Sequence, residues 1–260
     1  MGAEVIKIEA RPRPDTMRAY INYDDLGDKE PSRLGAFDHL NRDKKAISIN
    51  AKHPSGLQLL KDLISVSDVV IENFRGGILD RWGLGFREMQ KAKPDIIYLS
   101  MSGYGHTGPY KDFASHFHIS QAMSGFTALS GYENDIPVVT GAFGDTISGL
   151  HASASITMAL EHRNQTGNGQ YIDGANLTSM TNVMGTAYLE HTVNSSTPKP
   201  AGNRMSNPGA SIEGAFKCEG EEKWVAITVY NDEEWESFCA ATNRTDLLTD
   251  NRFTNESKRS

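Results

Sequence analysis

One carboxylate, Asp145, follows a glycine-containing segment at the predicted start of a helix near the middle of the chain. It closes the sequence Gly141-Ala142-Phe143-Gly144-Asp145, and small and apolar residues follow it. A carboxylate at a helix N-terminus faces oriented backbone N–H groups, and glycines let a bulky substrate approach the backbone closely. The residues alone allow two interpretations: an N-cap, which contributes about 1 kcal/mol, or a nucleophilic carboxylate.

Short apolar segments alternate with amphipathic segments along the first three quarters of the chain. The predicted strands are short and apolar, as buried parallel strands are, and cover 5–8, 46–49, 69–71 and 96–99. Helical spacing and terminating residues predict helices over 55–65, 86–92, 146–163 and 176–190. The alternation indicates an α/β fold with a parallel, Rossmann-like sheet. Ligands of such sheets bind at the carboxyl ends of the strands.

The last part of the chain predicts the beginning of a smaller α+β domain. Residues 214–217 and 224–229 have the pattern of a hairpin, and 232–241 that of a helix. We therefore predict a large α/β domain over 1–190, a polar, proline-bearing linker over 191–207, and the start of the small domain over 208–260.

Composition excludes several classes of protein. The formal net charge of −7 argues against general binding to nucleic acid or to an anionic membrane. No apolar stretch approaches the roughly 20 residues that span a bilayer, and the first residues lack a signal-peptide core. The two cysteines, Cys218 and Cys239, lie far from any CxxC pattern, which indicates a reducing compartment. We predict a cytoplasmic protein without a metal site.

Seven further segments, in this order and spacing, resemble the class III coenzyme A transferases. This family includes formyl-CoA transferase, carnitine CoA-transferases and α-methylacyl-CoA racemase. The resemblance is close over residues 2–190 and looser beyond them. The segments are 2–9, 40–45, 71–77, 79–85, 102–110, 121–125 and 166–170.

The resemblance implies a covalent role for Asp145. In the family, the matching aspartate attacks an acyl-CoA thioester, passes through a mixed anhydride and an aspartyl-CoA thioester, and delivers CoA to an acceptor acid. Covalent catalysis of this kind splits one difficult exchange into easier steps. The implied partners are an acyl-CoA and a small carboxylic acid, with CoA as substrate and no permanently bound cofactor. The resemblance also implies an interlocked homodimer.

His116 supports an alternative activity. The racemase branch of the family places a catalytic histidine at the matching position, where it and the aspartate exchange the α-proton of an acyl-CoA. A histidine and a carboxylate can serve as the acid–base pair for that exchange. This chain has Ser115-His116-Phe117 where the racemase pattern has Gly-His-Asp, so a structural or pocket-lining role for His116 stays open.

CoA contacts also follow from the resemblance. Asn73 and Phe74 match the contacts to the nucleotide end, and Ile49 matches the adenine-side strand. Arg81 suits a phosphate, which a guanidinium holds in bidentate fashion, although an ion pair with Asp80 or Glu88 is the alternative. Arg11 lies one position from the family's basic phosphate contact.

The ends of the chain raise a third possibility. Family members carry a strand, a turn and a helix before the first strand predicted here, and they continue beyond the position of Ser260. The chain therefore resembles a family member shortened at both ends. A non-catalytic fragment that binds CoA or a partner chain remains an alternative to either enzyme.

Overall fold

The computed structural model describes residues 2–11, 14–18, 35–203 and 212–259. Its strands are β1 (Ile6–Glu9), β2 (Lys45–Ser48), β3 (Val69–Glu72), β4 (Ile97–Ser102), β5 (Tyr171–Ala175), β6 (Ile212–Lys217) and β7 (Trp224–Val229). Its α-helices are α1 (Gly35–Leu40), α2 (Pro54–Ser65), α3 (Ile78–Arg81), α4 (Phe86–Ala92), α5 (Phe117–Met123), α6 (Phe143–Thr166), α7 (Asn176–Val183), α8 (Gly185–Asn194), α9 (Asp232–Ala241) and α10 (Glu256–Arg259).

Strands β1 to β5 pair only in parallel among the described residues. Strands β1 and β2 form one parallel pair, in which Ile6 lies opposite Lys45. A second sheet has the order β3-β4-β5, and both of its pairs are parallel. The predicted α/β class with parallel strands is confirmed. The strands were expected in one sheet, and the described residues place them in two.

The sequence patterns missed one strand of the β3-β4-β5 sheet and predicted another too short. Strand β5 includes Asp173 and Gly174, which interrupt any apolar run. Strand β4 extends through polar residues to Ser102, beyond its apolar core of Ile97 and Leu99, which are fully buried. Pairing with β3 and β5 on either side satisfies the backbone groups of β4, and this compensates for the weak local signal.

Helix α2 illustrates how local signals and packing agree. Its N-cap, His53, accepts a hydrogen bond from the Ser55 N–H at 3.3 Å, and Pro54 occupies the first turn, where a proline loses no helical hydrogen bond. Leu60 and Ile64 face one apolar cluster that also contains Met89. The prediction of a helix over 55–65 is confirmed.

Two of the later predicted helices, over 146–163 and 176–190, differ from their predicted bounds. Helix α6 begins at Phe143, three residues earlier than expected, so Asp145 lies inside its first turn. The predicted helix over 176–190 is two helices, α7 and α8, which meet at Met184. Helix α8 ends at Asn194, and its C-cap, Ser195, has a left-handed φ of 54°, a conformation that terminates helices.

The C-terminal elements agree with the sequence patterns. Strands β6 and β7 pair antiparallel, and α9 matches the predicted helix over 232–241. Asn231 caps α9 by accepting the Glu234 N–H at 2.9 Å. Val229, Trp235 and Cys239 form the buried core beneath it.

The chain divides into two compact units. One comprises Met1–Ala114 with Ser148–Ala175, and the other comprises Ser115–Ile147 with Asn176–Ser260. The boundaries predicted from the sequence, at 190 and 207, stay a prediction, and residues 204–207 lie outside the described segments. In the described part of the chain, every helix is too short or too polar to cross a membrane.

Candidate active site

A buried glutamine, Gln121, holds the segment that leads into Asp145. Gln121 lies on α5 and is fully buried. Its Oε1 accepts the Gly144 N–H at 2.8 Å, and its Nε2 donates to the carbonyl and hydroxyl oxygens of Thr140 at 3.3 Å. One amide therefore fixes the backbone at both ends of 140–144. A buried amide is costly unless it is hydrogen-bonded, and here both of its polar atoms have partners.

Aromatic packing supports the same segment. The rings of Phe126 and Phe143 stack with centroids 5.0 Å apart and planes inclined by 14°. Such pairs contribute about 0.5–1.5 kcal/mol beyond the area that they bury. Phe143 is the first residue of α6, so this stacking holds the start of the helical turn that carries Asp145.

The Asp145 carboxylate lies at the start of α6, and a hydrogen bond fixes one of its two oxygens. Asn176, the first residue of α7, donates a hydrogen bond from Nδ2 to Asp145 Oδ1 at 3.0 Å. The Asp145 side chain remains exposed, so a substrate can reach it. An exposed carboxylate with one anchored oxygen has the geometry that a positioned nucleophile needs.

Desolvation raises the pKa of the Asp145 carboxyl above its usual value of 3.8. The hydrogen bond from Asn176 and the charges of His116 and His118 lower the pKa and oppose this rise. His116 is the N-cap of α5, with an exposed side chain. The fold thus brings the predicted catalytic residues Asp145 and His116 into one compact unit, where the charge of one acts on the other.

The residues predicted to bind CoA lie in the other compact unit. Arg11 is exposed just beyond β1, and Ile49 directly follows β2. Ile49 donates its N–H to the Glu9 carbonyl at 2.9 Å, and its side chain is buried in the apolar cluster. Because β1 and β2 are parallel neighbours, Arg11 and Ile49 lie at the same edge of this sheet.

A second group follows the carboxyl end of β3. Asn73 and Phe74 are exposed there, and the Phe74 ring contacts Trp82 with centroids 5.8 Å apart. Arg81 is also exposed, in the last turn of α3. Glu88, one alternative partner of Arg81, pairs with Lys91 at 2.6 Å.

A polar cluster that the sequence did not single out lies at the β3-β4-β5 sheet. Ser100 and His106 are joined by a hydrogen bond of 2.6 Å between Oγ and Nε2. The Asp173 carboxylate accepts the His106 backbone N–H at 3.0 Å. Tyr98 donates to Glu72 at 2.9 Å, and burial raises the pKa of the neighbouring Tyr171 to about 12. The contacts of His106 with Ser100 and Asp173 fix the glycine-rich loop over 103–108 against the sheet.

Sequence reasoning also missed two residues around Asp145. Asn176 directly follows β5, a strand that the sequence patterns missed, so the rule that ligands bind at the carboxyl ends of strands could not be applied to it. Gln121 belongs to a segment of the family resemblance, but only the fold shows that its amide spans 140–144. The described residues contain no group of three or more His, Cys, Asp or Glu side chains that could hold a metal ion.

The chain is therefore an α/β protein with parallel sheets and an exposed carboxylate at the start of a long helix. Residues 1–260 match the model of CoA-transferase family III. The chain belongs to this family, which confirms the resemblance found in the sequence.

Relatives and solved structures agree with this assignment. The chain is 33% identical over 250 residues to the succinyl-CoA–L-malate CoA-transferase beta subunit of Chloroflexus aurantiacus, covering 95% of this chain and 60% of the relative. It is 31% identical over 258 residues to the succinyl-CoA:glutarate CoA-transferase of Mus musculus, covering 97% and 56%. The chain thus spans about three fifths of the length of these relatives.

A CAIB/BAIF family protein from Brucella suis has a similar structure. The TM-score is 0.88 at 31% identity, over 99% of this chain and 67% of that chain. Rv3272 from Mycobacterium tuberculosis has the same fold, with a TM-score of 0.74 at 24% identity over 100% of this chain and 66% of that chain.

Proposed function

We propose that this protein transfers coenzyme A from an acyl-CoA donor to a carboxylic acid acceptor through a covalent intermediate on Asp145. The observation that carries the proposal is the exposed Asp145 carboxylate, held by Asn176 in a member of CoA-transferase family III. The relatives named above act on succinyl-CoA. We therefore propose succinyl-CoA as donor and a dicarboxylic acid as acceptor.

The chemistry proceeds in four steps. One Asp145 oxygen attacks the thioester carbonyl, the C–S bond breaks, and CoA leaves as a thiolate. The thiolate attacks Cγ of the resulting anhydride, which releases the donor acid and leaves an aspartyl-CoA thioester. The acceptor carboxylate attacks that thioester and again displaces the thiolate. The thiolate then attacks the acceptor acyl group, and the Asp145 carboxylate is regenerated.

The predicted binding residues have complementary roles in this scheme. Arg81 and Arg11 neutralise CoA phosphates, and Asn73, Phe74 and Ile49 contact the nucleotide end. The protein acts in the cytoplasm as a homodimer of the interlocked kind, with CoA as a substrate and not as a resident cofactor.

Mass spectrometry of the intact protein tests the covalent step. After incubation with succinyl-CoA, the wild type is expected to carry a CoA adduct, and hydroxylamine is expected to convert Asp145 into a hydroxamate. Asp145→Asn removes the nucleophile while keeping the side-chain shape and is expected to abolish both products. Asp135→Asn, an exposed carboxylate in the same compact unit, is the matched control and should form the adduct normally.

One observation favours a second candidate, an α-methylacyl-CoA-type racemase, because the charge of His116 acts on Asp145. Incubation of an α-methylacyl-CoA in D2O separates the two activities. A racemase incorporates deuterium at Cα and loses this exchange in His116→Ala. A transferase forms the adduct, shows no exchange and tolerates His116→Ala. Binding of CoA with neither reaction would indicate a non-catalytic fragment.

A further inference from the structure

Asn176 contacts the reacting carboxylate itself. Its Nδ2 lies 3.0 Å from Asp145 Oδ1, and it begins helix α7, which packs against α5, the helix that carries Gln121. Two side chains act on this site, and both depend on α5. Gln121 lies on α5 and holds the backbone of 140–144, and Asn176 lies on α7, which packs on α5, and holds the carboxylate. Asn176 is thus placed by packing and not by a mobile loop.

We propose that Asn176 is a catalytic residue of this transfer, as the donor that stabilises the oxyanion formed on Asp145 Oδ1 whenever the aspartyl carbonyl is attacked. The inference rests on the proposed covalent function and goes beyond it by assigning the oxyanion donor of particular steps. The oxygen that faces Asn176 stays with the aspartyl group as its carbonyl oxygen, and the other oxygen, Oδ2, attacks the donor.

The four steps use Oδ1 differently. In the first and fourth steps the attacked carbon belongs to a substrate acyl group, so the new negative charge forms away from Oδ1. In the second step the CoA thiolate attacks Asp145 Cγ, and the electron pair of the carbonyl moves onto Oδ1 before the bond from Cγ to the donor carboxylate oxygen breaks. In the third step the acceptor carboxylate attacks the same carbon, and the thiolate leaves.

The Asn176 hydrogen bond is strongest when charge is localised on Oδ1. In the anhydride and the thioester, Oδ1 is a neutral carbonyl oxygen, and in the intervening tetrahedral species it carries a full negative charge. Hydrogen bonds to ionised acceptors are roughly twice as strong as neutral ones. Only interactions that strengthen in the transition state accelerate a step, and a donor that points at the forming oxyanion meets this condition.

Loss of the Asn176 donor should affect the steps differently. In the resting enzyme the hydrogen bond stabilises the Asp145 carboxylate, which is the nucleophile, so removing the bond does not slow the first attack. A variant without the donor should therefore form the succinyl anhydride at nearly the wild-type rate and convert it to the CoA thioester slowly. A purely structural role for Asn176 would slow both steps together, because it would misplace the same carboxylate.

A rapid-quench experiment with succinyl-CoA and no acceptor acid tests the contrast in the purified chain. Free CoA and the adducts on intact protein are measured from the same samples, for the wild type, Asn176→Ala and the control Thr178→Ala, an exposed residue of the same helix. In Asn176→Ala we expect anhydride formation within about twofold of wild type, conversion to the CoA adduct slowed by about 10²–10³-fold, and a burst of free CoA. The control should match the wild type.

Equal slowing of both steps, or unchanged conversion to the CoA adduct, would overturn the role of Asn176 while leaving the covalent function in place. A wild type that forms no adduct would overturn the covalent function, and this inference with it. Circular dichroism and the melting temperature establish folding. If the alanine variant does not fold, Asn176→Leu, which has similar volume and no donor, provides the same comparison.

Discussion

Gln121 and Gly144 are joined by a hydrogen bond of 2.8 Å between Oε1 and the backbone N–H, with the glutamine fully buried. The bond fixes the peptide between Phe143 and Gly144, one peptide before Asp145. The same amide donates to Thr140, so the entry to α6 is held from the side of α5. The position of the proposed nucleophile thus depends on a side chain that need not touch the substrate.

Replacing Gln121 is expected to weaken both stability and activity. Gln121→Leu has similar volume but removes the hydrogen bonds that the buried amide makes to Gly144 and Thr140, which costs about 1–3 kcal/mol of unfolding free energy. Because Asp145 loses its fixed backbone, kcat should fall more than KM rises. Urea unfolding and steady-state kinetics measure these effects. The control is Gln165→Leu, an exposed glutamine paired with Glu161, whose change should stay within about 0.5 kcal/mol. Similar losses in both variants would contradict the prediction.

The acid limb of the transfer activity should lie above the usual pKa of an aspartate. Asp145 must be ionised to attack, and desolvation raises its pKa from 3.8. Activity is therefore lost as pH falls through this raised value. The Asn176 hydrogen bond and the His118 charge both lower the pKa of the Asp145 carboxyl. Asn176→Ala and His118→Ala should therefore move the acid limb of the activity to still higher pH. A profile of kcat/KM against pH measures the shift. A limb that stays in place in Asn176→Ala would show that the hydrogen bond does not act on this carboxylate.

The ion pair between Glu9 and Arg18 should make stability depend on pH. Two hydrogen bonds, of 2.9 and 3.0 Å, join the guanidinium to the carboxylate, and the bond from Arg18 lowers the Glu9 pKa from 4.5 to about 2. A lowered pKa contributes stability that is present above the unfolded value and is lost as pH falls from 4.5 towards 2. At neutral pH we expect Glu9→Gln to cost about 1 kcal/mol after solvent screening.

Urea unfolding across this range measures the loss, and the difference between wild type and Glu9→Gln should vanish near pH 2. The control, Glu4→Gln, breaks an ion pair with Lys45 in which both side chains are about two thirds exposed. Exposed pairs contribute little, so this variant should resemble the wild type at every pH. An equal cost from both substitutions would contradict the prediction.

Two helical glycines should respond to alanine in opposite directions. A Cβ on Gly56 would lie 2.1 Å from the Asn50 carbonyl oxygen, so Gly56→Ala forces the end of β2 away from α2 and should cost about 1–3 kcal/mol. A Cβ on Gly149 would meet nothing within 4 Å, and alanine is the better helix former by about 1 kcal/mol. Melting temperatures of the two variants measure the effect. A fall in both would refute the prediction for Gly149.

Much of the fold could be predicted because its local signals agree with its packing. Helix α4 and helix α9 have the bounds that the sequence patterns predict, 86–92 and 232–241. Strand β5 could not be predicted because Asp173 and Gly174 interrupt its apolar pattern, and only the pairing with β4 makes this segment a strand. The division into two sheets likewise depends on pairing between distant segments, which no local pattern encodes.

The candidate site was predicted unevenly for a similar reason. Asp145 and His116 follow from sequence position and family resemblance, and their roles stay predictions. Asn176 and Gln121 form hydrogen bonds of 3.0 and 2.8 Å with Asp145 and Gly144, which are remote from them in sequence. The sequence shows which residues can form a hydrogen bond, and only the folded structure places α5 and α7 so that Gln121 and Asn176 reach the start of α6.

The interleaved composition of the two compact units has a consequence for synthesis. The unit that begins at Met1 includes Ser148–Ala175, and its central strand β4 acquires its second neighbour only when β5 has been made. A ribosome must therefore synthesise the segment through Ala175 before this sheet can close. Until then one edge of β4, with its fully buried Ile97 and Leu99, has no neighbour, and such open edges invite pairing with other chains. Slow or interrupted translation before residue 175 should thus favour aggregation, a vulnerability that later pauses would not share.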